Sequence, residues 1–92
     1  MIKKRLELED LKTIYLIGIG GIGMSALARY FLQRGAAVYG YDKTATVLTR
    51  KLEAEGMTIH YDEDVARIPK GVDLVIFTPA IPAKHRELQY FR

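Results

Sequence analysis

Residues 13–25 constrain the fold more than any other part of the chain. They read TIYLIGIGGIGMS, so a short apolar run breaks into four glycines within six residues and then resumes with helical spacing. Glycines 18, 20 and 23 fit the pattern G-x-G-x-x-G, and Gly21 adds a fourth. A strand that enters a glycine-rich turn and then a helix is the usual start of a dinucleotide-type βαβ unit. The stretch therefore predicts a Rossmann-like α/β fold.

Each glycine of this turn has a predicted physical role. Gly18 permits a tight exit from the strand, and Gly20 and Gly21 let backbone N–H groups approach an anion without Cβ atoms in the way. Gly23 lets the following helix pack closely against the strand. The helix that begins near Ile22 points its unpaired N–H groups and the positive end of its dipole at the same place. We therefore expect a phosphate-binding loop.

Composition indicates a small globular domain and excludes several classes of protein. The 92 residues suit one domain, 49% of them are hydrophobic, and the net charge of +3 is too small to indicate nucleic-acid binding. There is no cysteine, which excludes disulfides and thiolate metal sites. The basic residues 1–5 precede a charged run over residues 6–10, and no apolar run is long enough to span a membrane. We expect a cytoplasmic domain with no membrane or nucleic-acid partner.

Glycine and proline punctuation predicts the other elements, after an arm or edge element over residues 1–12. We expect strands over residues 13–17, 37–41, 58–61 and 72–78, helices over 22–34, 45–55 and 83–92, and a weak helical turn over 62–68. Gly35 and Gly56 follow the first two helices, where a helix-ending glycine belongs, and a threonine just before the second helix can cap it. The apolar residues expected to face the sheet are Leu27, Tyr30, Phe31, Val47, Leu48 and Leu52.

The connections between these strands determine the topology. Long crossovers force parallel pairing, and right-handed connections then give the sheet order 3-2-1-4. The carboxyl ends of all the strands lie along one edge, where open α/β sheets bind their ligands. Residues 18–23, 42–46 and 78–81 therefore meet in one crevice. We expect a three-layer domain with a parallel sheet of about four strands, as one module of a longer protein.

Asp42 strengthens the nucleotide interpretation. It lies nineteen residues after Gly23, at the end of the second predicted strand. An acid at this position typically hydrogen-bonds the hydroxyls of a ribose. The general pattern therefore predicts a nucleotide or nucleotide-sugar ligand, and by itself it favours NAD. The alternative is a glycine turn that serves packing alone, with Asp42 a solvated carboxylate.

Finer details resemble the amino-terminal domain of the Mur ligases, a family of peptidoglycan synthesis, over about residues 13–88. The matching segments are GIGGIGMS at residues 18–25, GYD at residues 40–42, Thr49 and Leu52 ahead of Gly56, and TPAI at residues 78–81. Relatives often carry a Gly-His pair just after the third strand, near the uracil. This chain has Asp62 and Glu63 at that place, so contacts to the base are not carried over.

The resemblance implies a Rossmann-like domain that holds the uridine diphosphate of UDP-N-acetylmuramate instead of NAD. The backbone around residues 20–24 would receive the diphosphate, Asp42 would meet the uridine, and Lys43 would add positive potential. Thr78, Ala80 and Ile81 would line the path toward the sugar. The predicted substrate-binding residues are therefore Gly18, Gly20, Gly21, Ile22, Gly23, Met24, Asp42, Lys43, Thr78, Ala80 and Ile81.

The resemblance also implies chemistry that this chain does not contain. An ATP-dependent ligase would form an acyl phosphate on the muramoyl carboxylate with ATP and Mg, and L-alanine would attack it. That needs a P-loop, G-x-x-x-x-G-K-S/T, which the chain lacks. We therefore expect binding without catalysis, with no catalytic or metal-binding residue and no cofactor in this domain. The alternatives are an NAD(P)-binding domain of an oxidoreductase or regulator, a scaffold domain, and the family member that recycles whole peptides onto the same UDP-sugar.

Several further side chains are expected to have structural rather than chemical roles. His60 and His85 lack partners at metal-ligand spacing, so we expect surface or half-buried residues. Tyr15, Tyr39 and Tyr41 are expected to pack with their hydroxyls at the rim of the sheet. Ser25 has no base at a useful spacing, so a local backbone hydrogen bond is expected for its hydroxyl.

Overall fold

The computed structural model describes residues 10–92, so the arm predicted over residues 1–12 lies outside them except for its last three residues. Four parallel strands form one sheet in the order β3-β2-β1-β4. The strands are β1 (Thr13–Ile17), β2 (Ala37–Tyr41), β3 (Thr58–His60) and β4 (Leu74–Phe77). The helices are α1 (Ile22–Gln33), α2 (Val47–Ala54) and α3 (Arg86–Tyr90), and a 3-10 turn covers Val65–Arg67. The predicted fold class and strand order are confirmed.

The central strand β1 divides the core into two faces. Side chains alternate across a strand, so Ile14 and Leu16 point to one face while Tyr15 and Ile17 point to the other. All four are fully buried. A strand that is apolar at nearly every position is typical of a parallel sheet covered on both sides, and the sequence of β1 predicts this burial.

The first face, called the apolar face below, lies beneath α1 and α2. Its buried side chains are Leu11, Ile14, Leu16, Ile19, Met24, Ala28, Phe31, Ala36, Val38, Leu52, Met57 and Ile59. Every one is a hydrocarbon or thioether side chain. This face is therefore held together by apolar burial, which is roughly proportional to the area removed from water.

The second face, called the mixed face below, lies beneath α3 and the 3-10 turn. Its buried apolar cluster consists of Tyr15, Ile17, Tyr41, Ile68 and Leu88. His60, His85 and Glu87 are buried as well, and they lie at the end of β3 or in and beside α3. Helices therefore cover both faces, which completes the three-layer arrangement.

The helical stripes differ from the expected ones. On α1 the buried residues are Met24, Ser25, Ala28 and Phe31, while Leu27 and Tyr30 are 42% and 40% exposed. The expected burial of Leu27 and Tyr30 is therefore wrong. Phe31 belongs to both the expected and the observed set. Its buried neighbours on the preceding turns are Ala28 and Met24, so Leu27 and Tyr30 lie to one side of the buried surface of the helix.

The second helix begins later than predicted, at Val47 rather than residue 45. Thr46 is its N-cap and exchanges two hydrogen bonds with Thr49, which confirms a threonine cap. Leu52 is fully buried, Leu48 is half-buried, and Val47 is 77% exposed. Val47 was expected in the core, but its place directly after the cap turns it to solvent.

Strand β4 begins at Leu74 rather than at residue 72, and the side chain of Asp73 binds the backbone at the start of β1. Its carboxylate accepts hydrogen bonds from the backbone N–H groups of Lys12 and Thr13 at 2.8 and 3.0 Å. Regular pairing with β1 begins at the next residue, Leu74. The side chains of β4 are half-buried or exposed, as expected for a strand at the edge of the sheet.

Candidate functional site

The glycine turn is tied to the end of β2. The N–H groups of Gly18 and Ile19 both donate to the carbonyl oxygen of Tyr41, at 2.7 and 3.0 Å. Gly18 has φ +91°, a conformation that residues with a Cβ rarely adopt, and a Cβ there would lie 3.3 Å from Cδ1 of Ile81. The turn, the end of β2 and the loop after β4 therefore meet, as the predicted crevice requires.

Asp42 lies against the turn and accepts two backbone hydrogen bonds. Its Oδ2 accepts from the N–H of Gly20 at 2.7 Å, and its Oδ1 accepts from the N–H of Thr44 at 3.2 Å. A Cβ at Gly20 would lie 2.7 Å from this Oδ2 and 2.7 Å from Cγ2 of Thr49. Gly20 is therefore required by the close approach of Asp42, and its N–H is paired within the protein.

The anion-facing groups differ from those that the sequence indicated. The N–H of Gly21 donates to the carbonyl of Gly18 at 3.1 Å, so neither Gly20 nor Gly21 presents a free N–H in this structure. Gly21 is the N-cap of α1 without a side-chain cap, and the first helical bond runs from the N–H of Ser25 to Gly21. Within residues 10–92, the N–H groups of residues 22–24 have no acceptor.

The start of α1 is open to solvent. Ile22 is 88% exposed, and a Cβ built on Gly23 would meet nothing within 4 Å. The prediction that Gly23 allows close packing of helix against strand is therefore wrong, because this residue faces outward. A close approach is found instead between two strands, at Gly40 of β2, where a Cβ would lie 2.7 Å from the carbonyl oxygen of Leu16 in β1. Met24 is buried in the apolar face, so only its N–H can reach a ligand.

A cleft of about 420 Å³ lies beside the glycine turn at the carboxyl ends of the strands. Five predicted site residues line it together with four that were not predicted: Gly18, Tyr41, Asp42, Lys43, Glu63, Ala80, Ile81, Pro82 and His85. Thr78 is outside the lining, and its carbonyl accepts the N–H of Ile81 at 3.0 Å in the turn after β4. A second depression, of about 460 Å³ along α2, contains no predicted site residue.

Glu63 and His85 form the wall of the cleft that sequence reasoning missed. Oε1 of Glu63 accepts from the N–H of Arg86 at 2.8 Å, and Nδ1 of His85 accepts from the N–H of Glu87 at 3.2 Å. The His85 ring is 5% exposed and meets the ring of Tyr41 edge to face at 4.7 Å. Its Nε2 is buried without a partner. The expectation of a surface or half-buried His85 is wrong, since Tyr41 and α3 enclose the ring.

Beneath this wall lies a buried polar cluster of Tyr15, His60 and Glu87, with exposures of 0%, 6% and 0%. The Tyr15 hydroxyl donates to Oε1 of Glu87. His60 Nε2 lies 2.7 Å from Oε2 of Glu87, and the N–H of Asp64 donates to the same oxygen at 2.8 Å. The Tyr15 hydroxyl and the N–H of Asp64 are donors, and His60 Nε2 is a third in the tautomer that has its proton there, so all three suit a carboxylate that only accepts. His60 and the Tyr15 hydroxyl were expected nearer the surface, and both expectations are wrong.

Burial and neighbouring carboxylates raise the pKa of Tyr15 and of Tyr41, the two buried tyrosines of the mixed face. Burial, and next the hydrogen bond to Glu87, raise the pKa of Tyr15 far above its ordinary value. Burial first and the charge of Glu63 second raise the pKa of Tyr41.

The Ser25 hydroxyl donates to the carbonyl of Ile22 at 2.9 Å, which confirms the local hydrogen bond expected for it.

Within residues 10–92, no helix has the length and apolar character to cross a bilayer. No three histidine, cysteine, aspartate or glutamate side chains in that range are grouped to hold a metal ion. The arrangement offers backbone donors at a helix start, one carboxylate fixed beside them and an adjoining cleft. Such a site can bind an anion joined to a polar neutral group.

Comparison with known proteins gives consistent matches. The family described as Mur ligase family, catalytic domain, matches residues 13–92. A UDP-N-acetylmuramate–L-alanine ligase of Cytophaga hutchinsonii is 54% identical over 92 residues, covering 95% of this chain and 20% of the relative. The ligase of the same name from Phocaeicola vulgatus is 50% identical over 93 residues, with the same coverage.

A solved structure supports the same assignment of fold. The UDP-N-acetylmuramate-alanine ligase of Thermotoga maritima superposes with a TM-score of 0.79 and 36% sequence identity, covering 85% of this chain and 18% of that one. The chain spans about a fifth of the length of the two curated relatives, 20% in each case.

Proposed function

Because the chain belongs to the Mur ligase family, we propose that it binds the uridine diphosphate part of UDP-N-acetylmuramate. The observation that carries this proposal is the start of α1, where three successive N–H groups lack acceptors within residues 10–92 and the nearby surface is open. Unpaired N–H groups and the helix dipole together favour a phosphate group. The identity of the nucleotide sugar is taken from the relatives, which are named UDP-N-acetylmuramate–L-alanine ligases.

The diphosphate is assigned to the N–H groups of residues 22–24. Lys43, at the mouth of the cleft, adds positive potential. Asp42 already accepts from Gly20 and Thr44, and its remaining lone pairs can accept ribose hydroxyls. Ala80 and Ile81 line the cleft on the far side of the turn, with Thr78 behind them. These residues provide an apolar edge along which the sugar of the bound substrate would extend.

The whole protein is proposed to be an ATP-dependent ligase that joins L-alanine to the muramoyl carboxylate in the cytoplasm. The carboxylate takes the γ-phosphoryl group of ATP, ADP leaves, and the amine of L-alanine then displaces phosphate from the acyl phosphate. ATP, Mg²⁺ and L-alanine would bind to parts of the protein beyond residue 92. We propose that residues 10–92 bind the substrate and that the catalytic steps occur elsewhere in the protein.

The proposal is tested by titrating ¹⁵N-labelled chain with UDP-N-acetylmuramate, UDP and NAD. We expect both uridine nucleotides to shift the amides of residues 22–24 and of Asp42, and NAD to leave them unchanged. Asp42 at the end of β2 is also compatible with NAD, so NAD is the informative competitor. Binding of NAD alone, or of none of the three, would overturn the proposal.

A substitution at Ile22 separates the backbone donor from the side chain. Ile22 is the first helical residue and Gly21 before it is extended, with φ −65° and ψ 152°, so proline fits there while removing one N–H. We expect Ile22→Pro to weaken UDP binding about tenfold, the effect of one charge-assisted hydrogen bond. The matched control Ile22→Ala keeps the N–H and should bind as the wild type does. Equal loss in both variants would assign binding to the side chain.

A further inference from the structure

His85 is a buried polar side chain that the proposed diphosphate site does not use. It caps α3, its ring is 5% exposed, and it lines the cleft beside Asp42 and Glu63. Its Nε2 is buried and makes no hydrogen bond in the described residues. Buried polar atoms in proteins are nearly always paired, so an unpaired nitrogen on a ring that lines a cleft points to a ligand atom as its partner.

The hydrogen bonding of the ring determines what Nε2 can do. Nδ1 accepts from the N–H of Glu87 at 3.2 Å, so in the neutral ring the proton must be on Nε2. The nearest carboxylate oxygen, Oε2 of Glu63, is 3.9 Å away and too distant for a hydrogen bond. The other oxygen of Glu63 is held by the N–H of Arg86. Nε2 is therefore a donor that awaits an acceptor.

The surroundings hold the ring in this orientation. Tyr41 contacts it edge to face at 4.7 Å. Glu87, whose N–H donates to Nδ1, is anchored by its own side chain to Tyr15 and His60 in the buried polar cluster. These two contacts hold the ring in one orientation and so define the position of Nε2. The donor is thus already positioned before a ligand arrives.

The charges around the cleft indicate the kind of acceptor. Asp42 and Glu63 both line it, whereas Lys43 is the only lysine or arginine among the lining residues. A phosphate beside His85 would lie close to the Glu63 carboxylate, which disfavours it. The free N–H groups of residues 22–24 lie outside this lining. The cleft therefore suits the neutral part of a nucleotide, whose carbonyl and hydroxyl oxygens accept hydrogen bonds.

We propose that His85 is a ligand-binding residue whose Nε2–H donates to a carbonyl or hydroxyl oxygen of the nucleoside part of the bound uridine nucleotide. The proposal rests on the proposed function, because it needs a nucleotide whose diphosphate lies at the start of α1. It adds a contact on the wall formed by α3, opposite the glycine turn.

The first experiment records the ring ¹⁵N resonances of the wild-type chain with and without UDP. We expect His85 to have the Nε2–H tautomer, and we expect UDP to shift this N–H and slow its exchange with water. His60 is the internal control, since it is buried, does not line the cleft and should keep its resonances. A proton on Nδ1 of His85, or an Nε2–H that UDP leaves unchanged, would overturn the proposal.

The second experiment compares the wild type with His85→Asn. Asparagine is a good N-cap, so its side-chain oxygen can replace Nδ1 while no atom reaches the position of Nε2. We expect UDP to bind about tenfold more weakly, the loss of one hydrogen bond. Inorganic pyrophosphate lacks a nucleoside and should behave identically with both proteins. Thermal unfolding of both proteins shows whether the fold is retained, and the ring measurement on the wild type stands if it is not.

The outcomes separate this proposal from the proposed function. If UDP shifts the amides of residues 22–24 but His85→Asn binds it as tightly as the wild type, the role of His85 is rejected and the diphosphate site stands. If pyrophosphate is weakened as much as UDP, Nε2 contacts phosphate, and the nucleoside assignment is overturned. If UDP shifts none of these amides, both proposals fail together.

Discussion

The two faces of the sheet are built in different ways, although β1 supplies the centre of both. On the apolar face, Ile14 and Leu16 belong to a cluster whose buried side chains are hydrocarbons or methionine thioethers. On the mixed face, Tyr15 meets the carboxylate of Glu87 and the ring of His60. Apolar contacts are non-directional, whereas hydrogen bonds require particular distances and angles. The apolar face can therefore stabilise the fold, and the mixed face can also fix the positions of particular side chains.

What the mixed face fixes is the wall of the cleft. The donors to Glu87 come from β1, from the end of β3 and from Asp64 ahead of the 3-10 turn. Glu87 belongs to α3, and its N–H holds the ring of His85. The position of His85 is therefore set relative to three other segments by one carboxylate. Buried ionic groups add little net stability, but removing one partner is costly.

The largest expected effect comes from removing that carboxylate. Glu87→Ala leaves the Tyr15 hydroxyl, His60 Nε2 and the N–H of Asp64 without their acceptor in a buried place. We expect the free energy of unfolding to fall by about 3–5 kcal/mol, the usual cost of breaking a buried charged network. Urea denaturation followed by circular dichroism measures it.

Two controls sharpen this comparison of the faces. Glu55→Ala removes a surface carboxylate paired with Arg29 at 2.8 Å and should cost less than about 1 kcal/mol. Leu52→Ala, on the apolar face, should cost about 2–5 kcal/mol. In a Tyr15→Phe background the loss from Glu87→Ala should shrink, because one stranded donor is gone, while the loss from Leu52→Ala should not change. Equal coupling in both pairs would contradict the distinction.

The sequence predicts the two faces unequally. The apolar burial of β1 and the positions of β1 and β2 follow from residues that are close along the chain, namely a short apolar run and its punctuating glycines. The mixed face depends on Tyr15, His60 and Glu87, which are 45 and 27 residues apart in sequence. No local period links such residues, so only the folded sheet brings them together. Sequence reasoning therefore finds the cleft but not the wall that His85 forms.

A smaller effect is expected at alkaline pH. The pKa of Tyr15 is raised in the folded chain, first by burial and next by the Glu87 hydrogen bond, whereas in the unfolded chain it is about 10. Above pH 10 the unfolded state loses this proton and the folded state keeps it, so stability is complete below pH 10 and falls as the pH rises. We expect a loss of about 1.4 kcal/mol by pH 11 from this group. Urea denaturation at pH 9 and pH 11 measures the difference.

The matched pair for this measurement is Tyr15→Phe and Tyr30→Phe. Tyr30 lies on α1 with 40% exposure, so its removal should leave the alkaline loss in place. Tyr15→Phe should reduce the loss between pH 9 and pH 11, even though it lowers stability at both. Tyr41, whose pKa is also raised by burial, contributes in the same direction and remains in both variants. Identical pH dependence in the two variants would show that Tyr15 is not protected from ionisation.

The glycine turn shows a second limit of sequence reasoning. The pattern predicts a nucleotide-binding loop, but two of its glycines have other physical roles in the structure. Gly20 accommodates Asp42 rather than an anion, and Gly23 is open, while the close backbone approach is at Gly40 of β2. A one-dimensional pattern cannot say which Cα faces a neighbour, because that depends on the rotation of α1 about its axis and on the register of Leu16 with Gly40.

The smallest expected effect tests this reassignment. Gly23 lies in the first turn of α1 without a positive φ, and a Cβ there would meet nothing within 4 Å. We expect Gly23→Ala to raise the free energy of unfolding by about 0.5–1 kcal/mol, because alanine loses less backbone entropy in a helix. Gly40→Ala is the contrasting control, since its Cβ would lie 2.7 Å from a backbone oxygen and must destabilise the sheet. A loss of stability in Gly23→Ala, measured by the same urea titration, would restore a packing role for this glycine. Such a loss would also mean that α1 packs against the apolar face from Gly23 onward, and not only from Met24 and Ala28.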